Sequence, residues 1–570
     1  MDMTMKPAEP TDPTAATDPT AAPDLTAAPD PSEPTEPSAP TEPTEPAEPT
    51  EPTAAPARPD RGYQLPTPPD AAWSVNSRRA SRISRLLLLG ILAIQAGLSL
   101  RMRGRAFEDE ALYIAAGHLE LHHLLHGAPV PADFNGFFSG YPLLYPVLAG
   151  AVDSVAGLTG VRLVSLAMML ATTGLLFGMT RRMFNDRAAL GAAALFSVVQ
   201  STIFLGYFAT FDAAALFLLA VSAWTVVRTT GKHPATVLLA VAPAVLAMAV
   251  KYAAGLFLPT LLVLAVLSGA PVKKRHQALY RGLCFGLGTG TVLGVVAYFS
   301  GAVSGLSQTT TARAHGTSSP LSLFELSGQW GGLVFLTAVG GAIAYVRRSR
   351  MGEMPWSAGD TPGRVRRLLL GVTLCGSALL APAYQSYLQT DTSLFKHVGF
   401  GLLFAAPMAG LGLSRLVGPH FRQPQLGIML YVTVLIFGMV QAHHEFTPPD
   451  STRMAEEVQR LTVPGGHYLA EEYEIPAYYL RKSTSWDQWQ STFAIDYVGK
   501  DHKHHYGNDG FGTAVKDGYF NVIVLTGNVT PDADTAITDA LRGSSAYRLV
   551  ATLPFHTQYG DNTYRIWTRQ

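Results

Sequence analysis

The chain has 570 residues, and its 42 Lys and Arg residues are balanced by 42 Asp and Glu. That balance gives no basic excess of the kind nucleic-acid binding needs, so no nucleic-acid partner is expected. Only two cysteines occur, Cys284 and Cys375, both in apolar runs, which excludes a disulfide framework and a cysteine-rich metal site.

Residues 1–72 repeat Pro, Thr, Glu, Asp and Ala, as in Glu42-Pro43-Thr44-Glu45-Pro46. Proline at every third or fourth position breaks a helix. With almost no large apolar side chain the segment cannot bury a core, so a disordered, partly polyproline-like tail is expected. A spacer or brush is the plain reading; a partner for the proline motifs is the alternative. No secretory signal peptide is recognised at the extreme N-terminus.

From Leu86 the composition changes. Eleven apolar runs follow, at 84–100, 161–180, 187–206, 210–228, 235–250, 253–269, 281–301, 328–346, 366–386, 397–417 and 426–442. Each is long enough, or nearly so, to span a bilayer. The short fifth and sixth runs read as a tight hairpin. Arg78, Arg79, Arg82 and Arg85 precede the first run and place the tail in the cytoplasm. An odd count then puts the C-terminal part outside. Basic groups recur at Arg181, Arg182 and Arg187; Arg228 and Lys232; Lys273, Lys274 and Arg275; Arg347, Arg348, Arg350, Arg364, Arg366 and Arg367; and Arg415 and Arg422. They are read as alternating imperfectly with the runs, so one run is expected to be miscounted or re-entrant, the fourth and the ninth foremost. Arg101, Arg103 and Arg105 fall outside this pattern; they either snorkel to headgroups or attract a lipid phosphate.

Residues 447–570 are soluble in character. Strands are expected near His467–Glu471, Asn521–Leu525, Tyr547–Leu553 and Thr563–Trp567, with helices through Ala477–Leu480 and Asp534–Arg542. This alternation predicts a small α/β domain. Trp486, Trp489, Phe493 and Tyr497 offer either an aromatic platform for carbohydrate or a core and docking face.

The ionisable residues next to the apolar runs carry the chemistry. Charges at membrane depth are costly and usually have a reason to be there. Phe107-Glu108-Asp109-Glu110-Ala111-Leu112-Tyr113 places three carboxylates just after the first run. The plain alternative is a helix N-terminus, which acids favour. Asp212 opens the fourth run after Thr210, and either residue suits a helix cap. Lys251-Tyr252 stands between the fifth and sixth runs, followed by Gly255 and Pro259. A compact ammonium there can bind a phosphodiester, or simply snorkel. Lys396-His397 opens the tenth run after Tyr384-Gln385-Ser386-Tyr387, as a phosphate or sugar site or an anchor belt. On the working topology Asp109, Glu110, Asp212, Lys251, Arg313, Lys396 and His397 share the outer side, which suggests one polar cavity. The aromatic and proline-rich segment Phe134–Pro146, with Tyr141, reads as a shelf beneath it. His118, His122 and His126, spaced by four, allow a metal on one helix face but fit an amphipathic interfacial helix equally. No cofactor is expected, and a divalent metal is not indicated. His502, His504 and His505 read as solvent-facing.

The Asp109-Glu110-Ala111 stretch with Tyr113 resembles the first outside loop of the GT-C membrane glycosyltransferases. It is most similar to glycosyltransferase family 39, the protein O-mannosyltransferase and aminoarabinose transferase relatives. Asp212 and the Lys251 loop resemble that family's later motifs, although Tyr252 replaces a usual small residue. The resemblance implies an α-helical polytopic membrane domain over 84–442, an extracytoplasmic α/β domain over 447–570 and the tail over 1–72. It implies an inverting transfer of sugar from a polyprenyl-phosphate donor to an unspecified extracytoplasmic acceptor: cell-envelope glycan, lipid or protein. Asp109 would be the base, with Glu110 and Asp212 in the catalytic set. Lys251, Lys396 and His397 would hold the donor phosphate, and Tyr113, Tyr141, Tyr252 and Arg313 would line the substrate. No nucleotide sugar is required. The rival readings are a transporter or flippase of lipid-linked glycans and a non-catalytic membrane scaffold.

Overall fold

The computed structural model describes residues 78–102, 104–136, 138–269, 274–300, 302–312, 315–347, 363–418, 422–445, 448–557 and 560–570. The proline-rich segment, Arg103, Lys273, Arg313, Arg348 and Arg350 lie outside these residues.

In chain order the helices of the apolar part are α1 (Arg78–Ser99), α2 (Glu108–His126), α3 (Tyr145–Met183), α4 (Asp186–Ser197), α5 (Gln200–Leu205), α6 (Phe211–Arg228), α7 (Val241–Val250), α8 (Leu258–Gly269), α9 (Arg275–Ser300), α10 (Ala302–Leu306), α11 (Pro320–Arg347), α12 (Arg364–Gly376), α13 (Leu380–Leu388), α14 (Leu394–Val417) and α15 (Pro424–Glu445). Among the described residues nine helices are long and apolar enough to cross a membrane. The protein is thus a multi-pass membrane protein. The broken pair α4–α5 and the 17-residue stretch Pro234–Val250 account for the other two apolar runs. The fourth and ninth runs, where an irregularity was expected, are both helical throughout. Phe211–Arg228 is unbroken, and one 3-10 turn at Ser377–Leu379 joins α12 to α13.

The bundle is arranged around α14, whose apolar window is 72% buried, against 17% for those of α1 and α9. The reason is in the sequence. Gly399, Gly401, Ala405, Ala406, Ala409, Gly410 and Gly412 keep α14 thin, and small residues let helix backbones approach closely where no water drives burial. The helices α1 and α9 instead present Leu86, Leu89, Leu283 and Leu287 outward, as a lipid-facing surface does.

Several arginines of the loops gather at one end. Arg182 donates to the carbonyl of Val227 at 3.1 Å, Arg281 to that of Thr229 at 3.1 Å, Arg366 to that of Leu267 at 2.7 Å and Arg367 to that of Val346 at 3.3 Å. These bonds fasten helix ends to one another. In the helix order, the five basic groups from Arg181 to Arg422 each fall between an even-numbered run and the next, so they alternate regularly, with Arg101, Arg103 and Arg105 the exception. Asp212 lies at the other end of α6, roughly 24 Å away at 1.5 Å per residue.

The C-terminal part adds α16 (Thr452–Leu461), β1 (Tyr468–Ala470), α17 (Glu474–Tyr479), β2 (Trp489–Ser491), β3 (Asp496–Val498), β4 (His504–Tyr506), α18 (Gly507–Lys516), β5 (Val522–Leu525), α19 (Pro531–Arg542), β6 (Tyr547–Thr557) and β7 (Gly560–Arg569). Five strands form a sheet in the order β2-β1-β5-β7-β6, with β1 parallel to β2 and β5 and β7 antiparallel to β5 and β6. Successive strand residues face opposite sides of a sheet. Here Leu469, Ile523, Leu525 and Trp567 pack under α18 and α19. Tyr468, Ala470, Val522, Val524, Tyr564 and Ile566 face the other way and join the core of the membrane part. Both faces are therefore covered, which explains why Val522–Leu525 is apolar throughout.

Trp486, Trp489, Phe493 and Tyr497 do not share a face. Trp486 meets Phe134 edge-on at 5.7 Å, and buried Trp489 donates to Thr484 at 3.0 Å. Phe493 is exposed and Tyr497 packs on Tyr519.

Candidate active site

The site is built on the first turn of α2. Glu108, Asp109 and Glu110 occupy its first three positions, where the helix dipole favours acids. Consecutive helical residues point about 100° apart, so the three carboxylates serve three different neighbourhoods.

Glu110 turns into the bundle and is fully buried. Arg162 of α3 grips it in a fork, Nε to Oε1 at 2.8 Å and Nη2 to Oε2 at 2.6 Å. The amide of Ala209 donates to Oε1 at 2.8 Å. Arg162 also donates to the carbonyls of Gly104 and Arg105 at 3.1 and 3.2 Å. Both oxygens of Glu110 are thus engaged in tying the α1–α2 connection, α3 and the loop before α6 together.

Asp109 turns toward α14. Lys396 donates to its Oδ2 at 2.5 Å, and the hydroxyl of Tyr113 lies 3.4 Å from Oδ1. The Tyr113 ring is wedged among Phe138, Tyr145 and Phe211. Burial, and then the charge of Asp109, holds the Tyr113 hydroxyl well above its ordinary range, so it acts as a donor.

Asp212, at the start of α6, pairs with Lys251 at 2.8 Å. Thr210 donates to its other oxygen at 3.2 Å. Lys251 ends α7 in an extended conformation, with its ammonium 4.4 Å from the centre of the Phe211 ring. The two pairs are close enough for Lys396 to act on Asp212 and for Asp109 to act on Lys251. They make a quartet of two acids and two lysines from α2, α6, the end of α7 and α14. One difference within it matters for chemistry. The Asp109 side chain is 35% exposed, whereas those of Asp212, Lys251 and Lys396 are 0%, 4% and 6% exposed.

The Phe134–Pro146 segment clamps the lysine turn by its backbone. Tyr141 N–H donates to the carbonyl of Ala249 at 2.8 Å, and Tyr252 N–H donates to that of Ser139 at 2.7 Å. A Cβ on Gly140 would sit 2.0 Å from the carbonyl oxygen of Val250, so no side chain fits there. Tyr141 is half-buried and Tyr252 is 6% exposed. The role expected for Arg313 lies outside the described residues. His397 Nδ1 is 3.1 Å from Nε2 of Gln385, which also donates to the carbonyl of Thr392 at 3.0 Å. Because that amide nitrogen is a donor, Nδ1 accepts.

The histidines of α2 do not converge. His118 is bonded to Asp153 at 2.7 Å, and His122 and His126 stack on each other at 4.6 Å. Among the described residues no three His, Cys, Asp or Glu side chains are grouped to hold a metal ion.

Several residues of the site escaped the sequence reading. Glu445, at the end of α15, acts electrostatically on Lys396. Arg162 and Asp153 were visible as lone charges around an apolar run. Asp153 joins the two parts of the molecule: Tyr478 donates to it at 2.6 Å and Arg481 at 2.9 Å. Beside it, the hydroxyl of Tyr479 accepts from the amide of Ala106 at 2.6 Å, and Arg105 lies over the Tyr479 ring at 4.7 Å. Glu472 and Glu474 are brought by this docking to Glu108. No spacing in the sequence marks residues that meet only after two parts of a chain dock.

The architecture has known counterparts. ArnT from Cupriavidus metallidurans, solved with undecaprenyl phosphate bound, superposes with a TM-score of 0.54 at 15% identity, over 85% of this chain and 97% of that one. The chain has the GT-C fold. The mycobacterial arabinofuranosyltransferase AftD matches with a TM-score of 0.50 at 14% identity, over 85% of this chain and 40% of its own. Residues 142–289, from α3 into α9, match the family described as dolichyl-phosphate-mannose-protein mannosyltransferase. That match covers the GT-C elements carrying Arg162, Asp212 and Lys251. A search of the curated proteins found no match.

Proposed function

We propose that the protein is a membrane glycosyltransferase that moves a sugar from a polyprenyl-phosphate donor to an acceptor at the Asp109 end of the bundle. The observation that carries this reading is the quartet Asp109–Lys396 and Asp212–Lys251, in which Asp109 alone is open. The solved neighbour with undecaprenyl phosphate bound, and the family match over 142–289, agree with a lipid-phosphate donor.

In the reaction, the acceptor oxygen forms a bond to the anomeric carbon as the bond from that carbon to the phosphate oxygen breaks. Asp109 takes the acceptor proton as a general base. Attack opposite the leaving group inverts the anomeric centre. Polyprenyl phosphate departs with an added negative charge, and the two lysines stabilise it without rearrangement because their acids already hold them in place. Asp212 is a positioning residue for Lys251. Glu110, with both oxygens engaged, is a structural residue in this reading. Lys396 restrains Asp109 in the resting state; a phosphate arriving nearby draws the ammonium away and frees the base.

A carrier that moves lipid-linked glycans would place charges along a path through the bundle. Here the lysine–carboxylate pairs gather at one end, which favours an enzyme. The decisive experiment is sugar transfer from a polyprenyl-phosphate donor panel by the reconstituted protein and its Asp109→Asn variant. Loss of at least a hundred-fold in turnover is expected. Near wild-type turnover in a correctly inserted variant would reject Asp109 as the base. Failure of the wild type to bind any such lipid would reject the enzyme reading.

A further inference from the structure

Four of the acids around the quartet have a basic partner within hydrogen-bond distance. Asp109 has Lys396 at 2.5 Å, Asp212 has Lys251 at 2.8 Å, Glu110 has Arg162 at 2.6 Å and Asp153 has Arg481 at 2.9 Å. Three that have none stand together: Glu108 on α2, Glu472 just before α17 and Glu474 at its first position. Glu472 and Glu474 are 8% and 5% exposed, and the Oε2 atom of Glu474 is buried with no hydrogen-bond partner. Glu472, also buried, has the Tyr564 hydroxyl as its neighbouring side-chain donor. Neither carboxylate forms an ion pair with a lysine or arginine among the described residues. All three acids act on one another, and Glu108 and Glu474 also feel Asp109. They therefore form a group on the side of Asp109 that faces the C-terminal domain, apart from the two lysines.

Burial, and then neighbouring acids, pushes Glu472 up to about 8 and Glu108 up to about 7, and holds Glu474 well above the ordinary carboxylate range. Protonated carboxyls both donate and accept, as sugar hydroxyls do. A buried carboxyl oxygen without a partner costs free energy that an incoming donor would recover. A phosphate, by contrast, finds no lysine or arginine paired on this side to offset its desolvation, and finds both lysines on the other.

We propose that Glu108, Glu472 and Glu474 form the acceptor subsite, receiving the hydroxyl or ammonium donors of a neutral or amine-bearing glycoside beside Asp109. The inference rests on the glycosyltransferase reading and adds two things to it. The acceptor carries no phosphate or carboxylate at its reacting sugar, and the C-terminal domain supplies part of the site.

The test uses the full chain in lipid nanodiscs and ligand-observed NMR with three probes: methyl α-mannoside (neutral), glucosamine (cationic) and mannose 6-phosphate (anionic). Binding of polyprenyl phosphate is measured in parallel. The neutral or the cationic probe is expected to bind the wild type, and which of them does so separates hydroxyl from ammonium recognition. The anionic probe is expected to bind at least ten-fold more weakly. The double variant Glu472→Gln, Glu474→Gln should weaken the binding probe about five- to ten-fold. Polyprenyl phosphate affinity should stay within about two-fold, because its lysines are untouched. Unchanged probe affinity in the variant, or anionic binding as strong as neutral, would overturn the subsite. So would loss of both ligands together, which would mark the pair as holding the fold. If no glycoside binds the wild type while polyprenyl phosphate does, the subsite falls and the enzyme reading stands. If polyprenyl phosphate does not bind either, the enzyme reading falls first.

Discussion

Adjacent acids on one helical turn should give opposite phenotypes. Glu110→Gln leaves the Arg162 guanidinium buried without its counter-charge. Removing one partner of a buried pair typically costs about 3–5 kcal/mol, so this variant should unfold at clearly lower denaturant while any correctly folded fraction keeps its turnover. Asp109→Asn should lose turnover with a smaller loss of stability, because Asp109 is partly exposed and Lys396 keeps the charges of Asp212 and Glu445. Equal stability of the two variants in detergent would reject the structural assignment of Glu110. Lys251 needs a paired design for the same reason. Lys251→Met alone leaves Asp212 charged and fully buried, so lost binding would be ambiguous. Lys251→Met with Asp212→Asn removes both charges, and should keep the fold yet weaken donor binding by roughly ten- to a hundred-fold, as loss of a charge-assisted contact predicts. Lys232, exposed at the basic end, is the control, and its Met variant should bind normally.

Elements explain why these side chains are held so closely. The Phe134–Pro146 segment pairs by its backbone with the turn carrying Lys251, and Gly140 is what lets the two chains touch. Gly140→Ala should displace that turn by about an ångström, and a shift of that size at a reacting site can cost on the order of a hundred-fold in rate. Its signature is lost donor affinity and turnover with secondary structure intact; full activity would show that the clamp does not set the lysine. The sequence made the residue types of this site legible but not their partners. Three acids after an apolar run are plain to see. That Glu110 reaches Arg162 52 residues on, and Asp109 reaches Lys396 287 residues on, depends on helix packing that no local pattern encodes. The bundle was more legible, because each run is long and apolar. In the C-terminal part the apolar β1 and β5 and the long β6 and β7 were legible, while β2, β3 and β4, three residues each and largely polar, carry too little pattern to stand out.

At the scale of the whole molecule, the basic groups from Arg181 to Arg422 follow a regular order along the chain. The regular alternation of basic loops predicts the N-terminal tail inside and the C-terminal domain outside. Reporter fusions at both ends check this; finding both on one side would overturn it. The docked acids predict a pH dependence. In Glu108, Glu472 and Glu474 the folded state holds protons that the unfolded chain releases near the ordinary glutamate value. Folded pKa values above unfolded ones mean fewer protons bound in the unfolded state, so stability falls as pH rises through that window. The contribution is fully present below about pH 4.5 and declines up to about pH 8 or beyond. Hydrogen exchange across residues 468–480 should quicken over that range, and protection that improves with pH would contradict the direction.

The strand order of the C-terminal sheet carries a consequence for biosynthesis. β7 is translated after β1, β2, β5 and β6, yet it lies between β5 and β6. Until residues 560–569 have left the ribosome, β5 has one bare edge and β6 has no neighbour at all. β1 and the glutamates that follow it rest on β5. On the glycosyltransferase reading, the acidic side of the site would thus be completed in one step with β7, well after the helices that hold Asp109 and Lys396 are in place. A ribosome that stalls or terminates before β7 would leave an inserted bundle with its lysines set and its acidic side unbuilt: a product able to bind lipid but unable to spend it.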